Sequence, residues 1–81
     1  MNESELKQII VGVINVSVPG VDASILEGDD EIGPTLDLDS FDQLQIQGGL
    51  NEKLGIEVPE KIYARLKTLN QLIAHFSALT V

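Results

Sequence analysis

A hydroxyl between two carboxylates is the arrangement in this sequence that could do chemistry. Residues 36–44 have the order Leu-Asp-Leu-Asp-Ser-Phe-Asp-Gln-Leu, which places Ser40 between Asp39 and Asp42. Asp39 is a favourable helix N-cap, because its side chain can accept hydrogen bonds from the free N–H groups of a first helical turn. Ser40 would then lie at the positive end of the helix dipole, a position that favours a phosphodiester.

Ser40 lacks the neighbours that would make it a nucleophile by itself. No histidine or lysine lies close to it in the sequence to act as a base. The chain has one histidine, His75, and no cysteine, so neither a catalytic site nor a thiolate metal site is indicated. The aspartates of residues 29–42 do not have the spacing of an EF-hand loop. We therefore predict no catalytic residues and no metal site, and we expect Ser40 to be modified by another protein.

The order Asp-Ser-Phe-Asp resembles the Asp-Ser-Leu-Asp signature of acyl carrier proteins. Two later blocks are similar to the same family at matching spacing: residues 50–60, Leu-Asn-Glu-Lys-Leu-Gly-Ile-Glu-Val-Pro-Glu, and residues 66–69, Leu-Lys-Thr-Leu. The likeness covers residues 36–76 of the chain. It implies that Ser40 carries 4′-phosphopantetheine, derived from coenzyme A. The thiol of that group would hold an acyl or aminoacyl group as a thioester.

The resemblance also implies partners. A phosphopantetheinyl transferase would modify Ser40, a ligase or synthase would supply the acyl or aminoacyl group, and downstream transferases would receive it. Asp39, Phe41, Asp42 and Leu44 would contact these enzymes, as the matching positions do in the family. The carrier itself would be a monomer and not an enzyme.

The sequence departs from the family pattern at several positions. The usual glycine before the Asp-Ser pair is Asp37, and the acidic residue common five positions after the serine is Gln45. The third helix would carry Lys61 and Arg65, where fatty-acid carriers are often acidic. These departures do not favour a general role in fatty-acid synthesis. The combination of Val58-Pro59-Glu60 with Tyr63, Leu66 and Thr68 is more similar to specialised stand-alone carriers, including some that accept aminoacyl groups from synthetase-like ligases.

Composition limits the classes of partner. The 81 residues have a formal net charge of −8, with eight acidic and no basic residues from Asp22 to Asp42. Such a surface disfavours nucleic acid and anionic membranes and favours a basic protein partner. No segment is long and apolar enough for a transmembrane helix, and the start lacks the basic region of a signal peptide. We expect one cytoplasmic carrier domain over residues 1–81.

Amphipathic patterns predict the elements that position Ser40. The first helix is capped by Asn2 or Ser4 and ends near residue 17. Its apolar face consists of Leu6, Ile9, Ile10, Val13 and Ile14. A long loop over residues 19–38 follows, and long loops of this kind tend to be functional. Its predicted apolar anchors are Ile25, Leu26, Ile32 and Leu36.

The second helix is predicted from Ser40 to Leu54, with Gly55 as its stop. Its core face consists of Ile46, Gly49, Leu50 and Leu54. A second stripe, of Phe41, Leu44 and Gly48, is either a wider core face or an exposed docking patch. Each of the two adjacent glycines costs roughly 1 kcal/mol relative to alanine inside a helix, so we expect compensation such as the close approach of another helix.

Two more helices complete the prediction. A short one near residues 60–65 follows Val58-Pro59 and buries Ile62 and Leu66. The last begins at a capping box of Thr68 and Gln71. Its apolar face consists of Leu69, Leu72, Ile73 and Phe76. The predicted fold is all-α, an antiparallel four-helix bundle with three longer helices, one short helix and a long loop between helices I and II.

One alternative to a carrier stays open at this point. The same helical bundle could be an unmodified protein–protein interaction module in which Ser40 is only a helix-capping residue. Asp-Ser-x-Asp is also an ordinary N-terminal pattern for a helix, so the four residues alone do not decide between these functions.

Overall fold

Three long helices form where the apolar residues recur at helical spacing. The structure is a computed structural model in which residues 2–79 are described. Its helices are α1 (Glu3–Ser17), α2 (Ile32–Leu36), α3 (Ser40–Leu54), α4 (Glu60–Tyr63) and α5 (Leu69–Leu79), and a 3-10 turn spans Ala23–Ile25. Within residues 2–79 there is no β-strand beyond an isolated bridge between Glu31 and Thr68. The all-helical prediction with three longer helices is therefore confirmed.

The helix α1 begins at Asn2, whose side chain accepts a hydrogen bond of 2.8 Å from the Glu5 N–H. Asn2, and not Ser4, is therefore the cap. The fully buried positions of α1 recur at every fourth residue and are Leu6, Ile10 and Ile14. Because α1 packs on both α3 and α5, this single face meets two other helices at once.

The core lies where α1, α3 and α5 meet. Its largest fully buried side chains are Leu6, Ile10, Ile14, Ile46, Leu50, Leu69, Leu72 and Phe76. The apolar face predicted for the last helix is buried at all of its positions, which confirms that prediction. Burial of large side chains of this kind contributes roughly 1.5–3 kcal/mol each, so these three helices supply most of the hydrophobic stabilisation.

The two adjacent glycines of α3 have different surroundings. A Cβ atom on Gly49 would lie 2.8 Å from Cγ1 of Val13 and 3.2 Å from Oγ of Ser17. The predicted close approach of another helix is therefore present at Gly49, where α1 comes against the α3 backbone. A Cβ atom on Gly48 would have no neighbour within 4 Å among the residues described.

The connection over residues 19–38 is more ordered than a plain loop. It contains the 3-10 turn and the five-residue helix α2. Leu26 and Ile32 are buried as predicted, but Ile25 is 63% exposed, so its prediction as an anchor is wrong. In a 3-10 turn, residues three apart share one side. Ala23 and Leu26 are therefore both buried, whereas Ile25 points to solvent.

Polar contacts fasten this connection to the start of α5. The Asn70 N–H donates to the Gly28 carbonyl at 2.9 Å, and Nδ2 of Asn70 donates to Oδ1 of Asp29 at 3.0 Å. The Ile32 N–H donates to the Lys67 carbonyl at 2.9 Å. These bonds hold α2 at a fixed place beside α3, although α2 is too short to be stable by itself.

The helix α4 is the least anchored helical element. It spans four residues, where a helix over 60–65 was predicted, and it contains no buried residue. The prediction that Ile62 is buried is wrong, since its side chain is 42% exposed. Tyr63 and Leu66 are half-buried and supply the apolar contact instead. A single turn has too few residues to define an apolar face, so periodicity could not identify the inward side.

Candidate functional site

The N-terminus of α3 is closed by a reciprocal capping box. Oδ1 of Asp39 accepts from the Asp42 N–H at 2.8 Å, and Oδ2 of Asp42 accepts from the Asp39 N–H at 3.3 Å. Asp39 is therefore the N-cap, as predicted, and Ser40 is the first helical residue. The two carboxylates are bonded to the backbone and not to the Ser40 hydroxyl. They fix the helix start and leave the serine oxygen accessible.

Ser40 is exposed at this corner. Within residues 2–79, no hydrogen bond engages its hydroxyl or the backbone N–H groups of Ser40 and Phe41. Two free N–H groups at the positive end of a 15-residue helix suit an anion bound to the serine oxygen. The geometry thus fits a phosphodiester at Ser40.

The residues that lead into α3 turn sharply. Asp37 has a φ of 54°, the one non-glycine residue among those described in the left-handed region. It ends α2, and the next residue, Leu38, donates its N–H to the Gly33 carbonyl at 2.9 Å. Aspartate tolerates this conformation better than most side chains do. This position therefore has a backbone geometry that glycine adopts more easily than other residues do.

An open cavity of about 590 Å³ lies beside Ser40. The helix α3 contributes Ser40, Phe41, Gln43, Leu44 and Gln47, and the cavity is closed on the other sides by α2 and by residues 60–67. A Cβ atom on Gly33 would lie 2.9 Å from Nε2 of Gln43, so α2 comes close to α3 at this wall. The cavity extends along α3 for two helical turns, or about 10 Å, from Ser40 to Gln47.

The stripe predicted as either core or docking patch is a surface feature. Phe41 is 66% exposed and Leu44 is 54% exposed. Both line the cavity with Ser40, whereas Asp39 and Asp42 lie at the helix end and do not line it. The two apolar residues predicted to contact partners therefore lie on the cavity side of Ser40, and the two acidic ones lie at the helix end. Their contact with partner proteins stays a prediction.

Two amides on α3 were not identified as site residues from the sequence. Nε2 of Gln47 donates to the Val58 carbonyl at 3.0 Å, and Oδ1 of Asn51 accepts from the Val58 N–H at 3.2 Å. Together they hold the segment before α4 against α3. Their spacing of four residues on one helix face was a signal, but the partner in the loop was not visible in the sequence.

Tyr63 faces the cavity from α4. Burial raises the pKa of its phenol to about 12, because the charged form is poorly solvated there. The phenol therefore stays protonated at neutral pH and can donate a hydrogen bond. His75, for which no role was predicted, makes an edge contact with the Phe76 ring at 5.7 Å between ring centroids.

Residues 2–79 contain neither a membrane-spanning helix nor a cluster of metal ligands. No helix in this range is long and apolar enough to cross a membrane. Over the same range, no cluster of three or more histidine, cysteine, aspartate or glutamate side chains is arranged to hold a metal ion.

Comparison with known proteins gives consistent matches. Residues 4–76 match the family described as phosphopantetheine attachment site. The meromycolate extension acyl carrier proteins of Mycobacterium tuberculosis and Mycobacterium bovis are each 25% identical over 75 residues, which cover 90% of this chain and 65% of theirs. An acyl carrier protein of Rhodococcus erythropolis is 29% identical over 69 residues, 85% of this chain and 76% of its own. The chain thus spans slightly less than two thirds of the mycobacterial relatives.

Proposed function

Because the chain belongs to the phosphopantetheine attachment-site family, we propose that it is an acyl carrier protein and that Ser40 is the attachment residue. The observation that carries this assignment is the exposed Ser40 hydroxyl at the first position of α3, beside two free backbone N–H groups and an open cavity. Family members carry 4′-phosphopantetheine and are carriers, not catalysts. We propose one carrier domain over residues 1–81.

Each residue at the start of α3 has a separate role in this proposal. Asp39 and Asp42 fix the helix end through their backbone hydrogen bonds, so the Ser40 oxygen is held on a rigid corner. That oxygen attacks the phosphorus of coenzyme A next to the pantetheine, its proton passes to a base of the transferase, and adenosine 3′,5′-bisphosphate leaves. The attached group supplies a thiol, which the chain lacks because it has no cysteine.

The surface charge supports the choice of partners. The acidic residues of 22–42 precede and follow Ser40 in the chain, and their charge would steer a basic transferase toward it. Phe41 and Leu44 add an exposed apolar contact beside the serine. The same surface would meet a ligase or synthase that supplies the cargo and transferases that remove it. A small interface of this kind suits the fast release that a monomeric shuttle needs.

The cargo is an acyl group, and we propose that it includes aminoacyl groups. The basic residues Lys61 and Arg65 are exposed in and just after α4, each two positions from Tyr63, but they do not line the cavity. The charged residues that do line the cavity are Glu31, Glu60 and Lys67. The mycobacterial relatives are named for meromycolate extension, but the polar surroundings of this cavity support a shorter and more polar cargo.

Intact mass spectrometry tests the attachment. The protein is incubated with coenzyme A and a broad-specificity phosphopantetheinyl transferase, and the mass of one phosphopantetheine is expected to be added. Ser40→Ala should remove the addition completely. Ser4→Ala is the matched control, because Ser4 is also an exposed serine in the first turn of a helix, between Glu3 and Glu5.

The outcome distinguishes a carrier from an unmodified interaction module. Addition that is lost in Ser40→Ala and kept in Ser4→Ala supports the carrier. If the folded protein gains no mass with this transferase or with one encoded in the same genome, Ser40 is only part of a helix start. The exposed stripe of Phe41 and Leu44 would then be the remaining evidence for function, and an interaction module would be the better proposal.

A further inference from the structure

The most informative buried polar group is the carboxamide of Gln47. Its side chain is only 8% exposed, and it is the one buried polar side chain among residues 2–79. Nε2 donates to the Val58 carbonyl at 3.0 Å. Because a carbonyl can only accept, the amide nitrogen must face Val58, and the orientation of the carboxamide is fixed. Oε1 therefore faces away from that bond.

Oε1 of Gln47 has no hydrogen-bond partner among the residues described. It is also not sealed in the core, since no fully enclosed side-chain nitrogen or oxygen in residues 2–79 lacks a partner. Gln47 is one of the residues that line the cavity beside Ser40, and that cavity is the open space within reach of this accessible acceptor. Tyr63 lines the same cavity, and its hydroxyl has no described hydrogen-bond partner either.

These two groups make the cavity unfavourable for a plain hydrocarbon. A saturated chain would displace water from Oε1 of Gln47 and from the Tyr63 hydroxyl without replacing the lost hydrogen bonds. Glu31, Glu60 and Lys67 also line the cavity, and their charged groups favour contact with water over contact with hydrocarbon. A chain that carries its own donor and acceptor would satisfy both groups.

We propose that the cavity selects acyl groups that carry a hydroxyl or a neutral amine close to the thioester, with Gln47 Oε1 as the acceptor and the Tyr63 hydroxyl as the donor. Both residues are specificity-determining and neither takes part in a reaction. The inference rests on the proposed attachment at Ser40, from which Gln47 lies about 10 Å along the α3 axis. A cargo of a few carbons on a flexible arm can bend back over that distance.

Two cargoes of equal size test the selection. The protein is loaded at Ser40 from 3-hydroxybutanoyl-coenzyme A or from 3-methylbutanoyl-coenzyme A, which differ only by hydroxyl against methyl, and intact mass confirms each loading. Cleavage of the thioester by hydroxylamine is then timed and divided by the rate for the same coenzyme A thioester. One net hydrogen bond is expected to slow cleavage of the hydroxylated cargo by about 2- to 12-fold relative to the methyl cargo.

Variants identify the groups responsible. Tyr63→Phe removes only the phenol oxygen. It should raise the rate at which hydroxylamine cleaves the hydroxylated cargo toward the rate for the methyl cargo. Gln47→Leu should do the same, but it also removes the bond to Val58. The side-chain amide signals of Gln47 in the unaltered protein therefore provide a second measurement, and they should shift with the hydroxylated cargo. Gln45→Leu is the control, since Gln45 is exposed on α3 and does not line the cavity.

The outcomes separate this inference from the proposed function. If the methyl cargo is cleaved as slowly as the hydroxylated cargo, or more slowly, on a protein whose loading is proven, this inference is overturned and the proposed function stands. A shift of the Gln47 amide signals that is already complete with the unacylated arm also overturns it, because the cavity then binds the arm and not the cargo. If no mass is added at Ser40, the proposed function fails and this inference fails with it.

Discussion

The starts of α3 and α5 are built from the same local motif but meet different surroundings. At α3, Asp39 and Asp42 cap each other's backbone N–H groups. At α5, Oγ1 of Thr68 accepts from the Gln71 N–H at 3.1 Å, and Oε1 of Gln71 accepts from the Thr68 N–H at 3.0 Å. Both are complete capping boxes. A cap therefore does not by itself make a functional site.

The difference lies in the residues that follow each cap. After Thr68 comes Leu69, which is fully buried, and then Asn70, which bonds to Asp29. After Asp39 come Ser40 and the 66% exposed Phe41, neither of which is held by the rest of the chain through its side chain. The start of α5 serves the fold. The start of α3 leaves its first two side chains available to other molecules.

Substitutions at the first residue of each helix, Ser40 in α3 and Leu69 in α5, should give the largest contrast in unfolding free energy. Leu69→Ala is expected to lower the free energy of unfolding by about 2–5 kcal/mol, since it removes a fully buried side chain. Ser40→Ala should change that free energy by at most about 0.5 kcal/mol, since the residue is exposed and is not the cap. Chemical denaturation followed by circular dichroism measures both. A large loss in Ser40→Ala would mean that the serine is structural.

The cap positions should give the next largest effect. Thr68→Ala is expected to cost about 0.5–2 kcal/mol of unfolding free energy, because the Gln71 N–H loses its acceptor. The rate of phosphopantetheine addition to the folded protein should stay unchanged, since Thr68 does not line the cavity. Thermal unfolding and intact mass measure the two quantities. Slower addition to a fully folded Thr68→Ala protein would show that the two helix starts are coupled.

Substitutions at the second residue of each helix, Phe41 in α3 and Asn70 in α5, should separate an effect on stability from an effect on recognition by the transferase. Asn70→Ala removes the bond to Asp29 and is expected to cost about 0.5–1.5 kcal/mol. Phe41→Ala should cost at most about 0.5 kcal/mol, yet it should lower kcat/KM of the transferase. Denaturation and transferase kinetics on both variants test this pair. Normal kinetics for Phe41→Ala would remove this side chain from the docking surface.

Charge at the α3 cap should have the smallest effect. Asp39→Asn keeps a side-chain acceptor for the Asp42 N–H and removes only the negative charge. We expect unchanged stability and a decrease in transferase kcat/KM at low salt that diminishes as ionic strength rises. Glu52→Gln is the matched control, because Glu52 is an exposed acid three turns along the same helix. An equal decrease for both variants would indicate general steering and not contact at Asp39.

Strong local signals made the frame of this fold predictable. The bounds predicted for the helix after Asp39 are those observed, because a cap begins it and Gly55, with a φ of 67°, ends it. The capping box of Thr68 and Gln71 was visible from residue type and spacing alone. The apolar face of α5 was predicted in full because its eleven residues give three turns of periodicity.

Features that depend on contacts between distant residues were not predictable. The helix α2 exists because bonds to residues 67–70 hold the segment before it, and nothing within its own five residues indicates a stable helix. The clamp of Gln47 and Asn51 on Val58 joins residues 11 and 7 positions apart in the sequence. In α4, Ile62 was assigned to the wrong side because one turn of helix contains no repeat to compare.

The two neighbouring glycines of α3 predict different evolutionary freedom at adjacent positions. At Gly49, any side chain would have to displace Val13 of α1, so packing selects against nearly every substitution. At Gly48, no described atom stands in the way of a side chain, so packing exerts no comparable selection. Homologous sequences should therefore keep glycine at the position of Gly49, whereas the residue type at the position of Gly48 should vary. A glycine retained at both would point to selection from outside the chain.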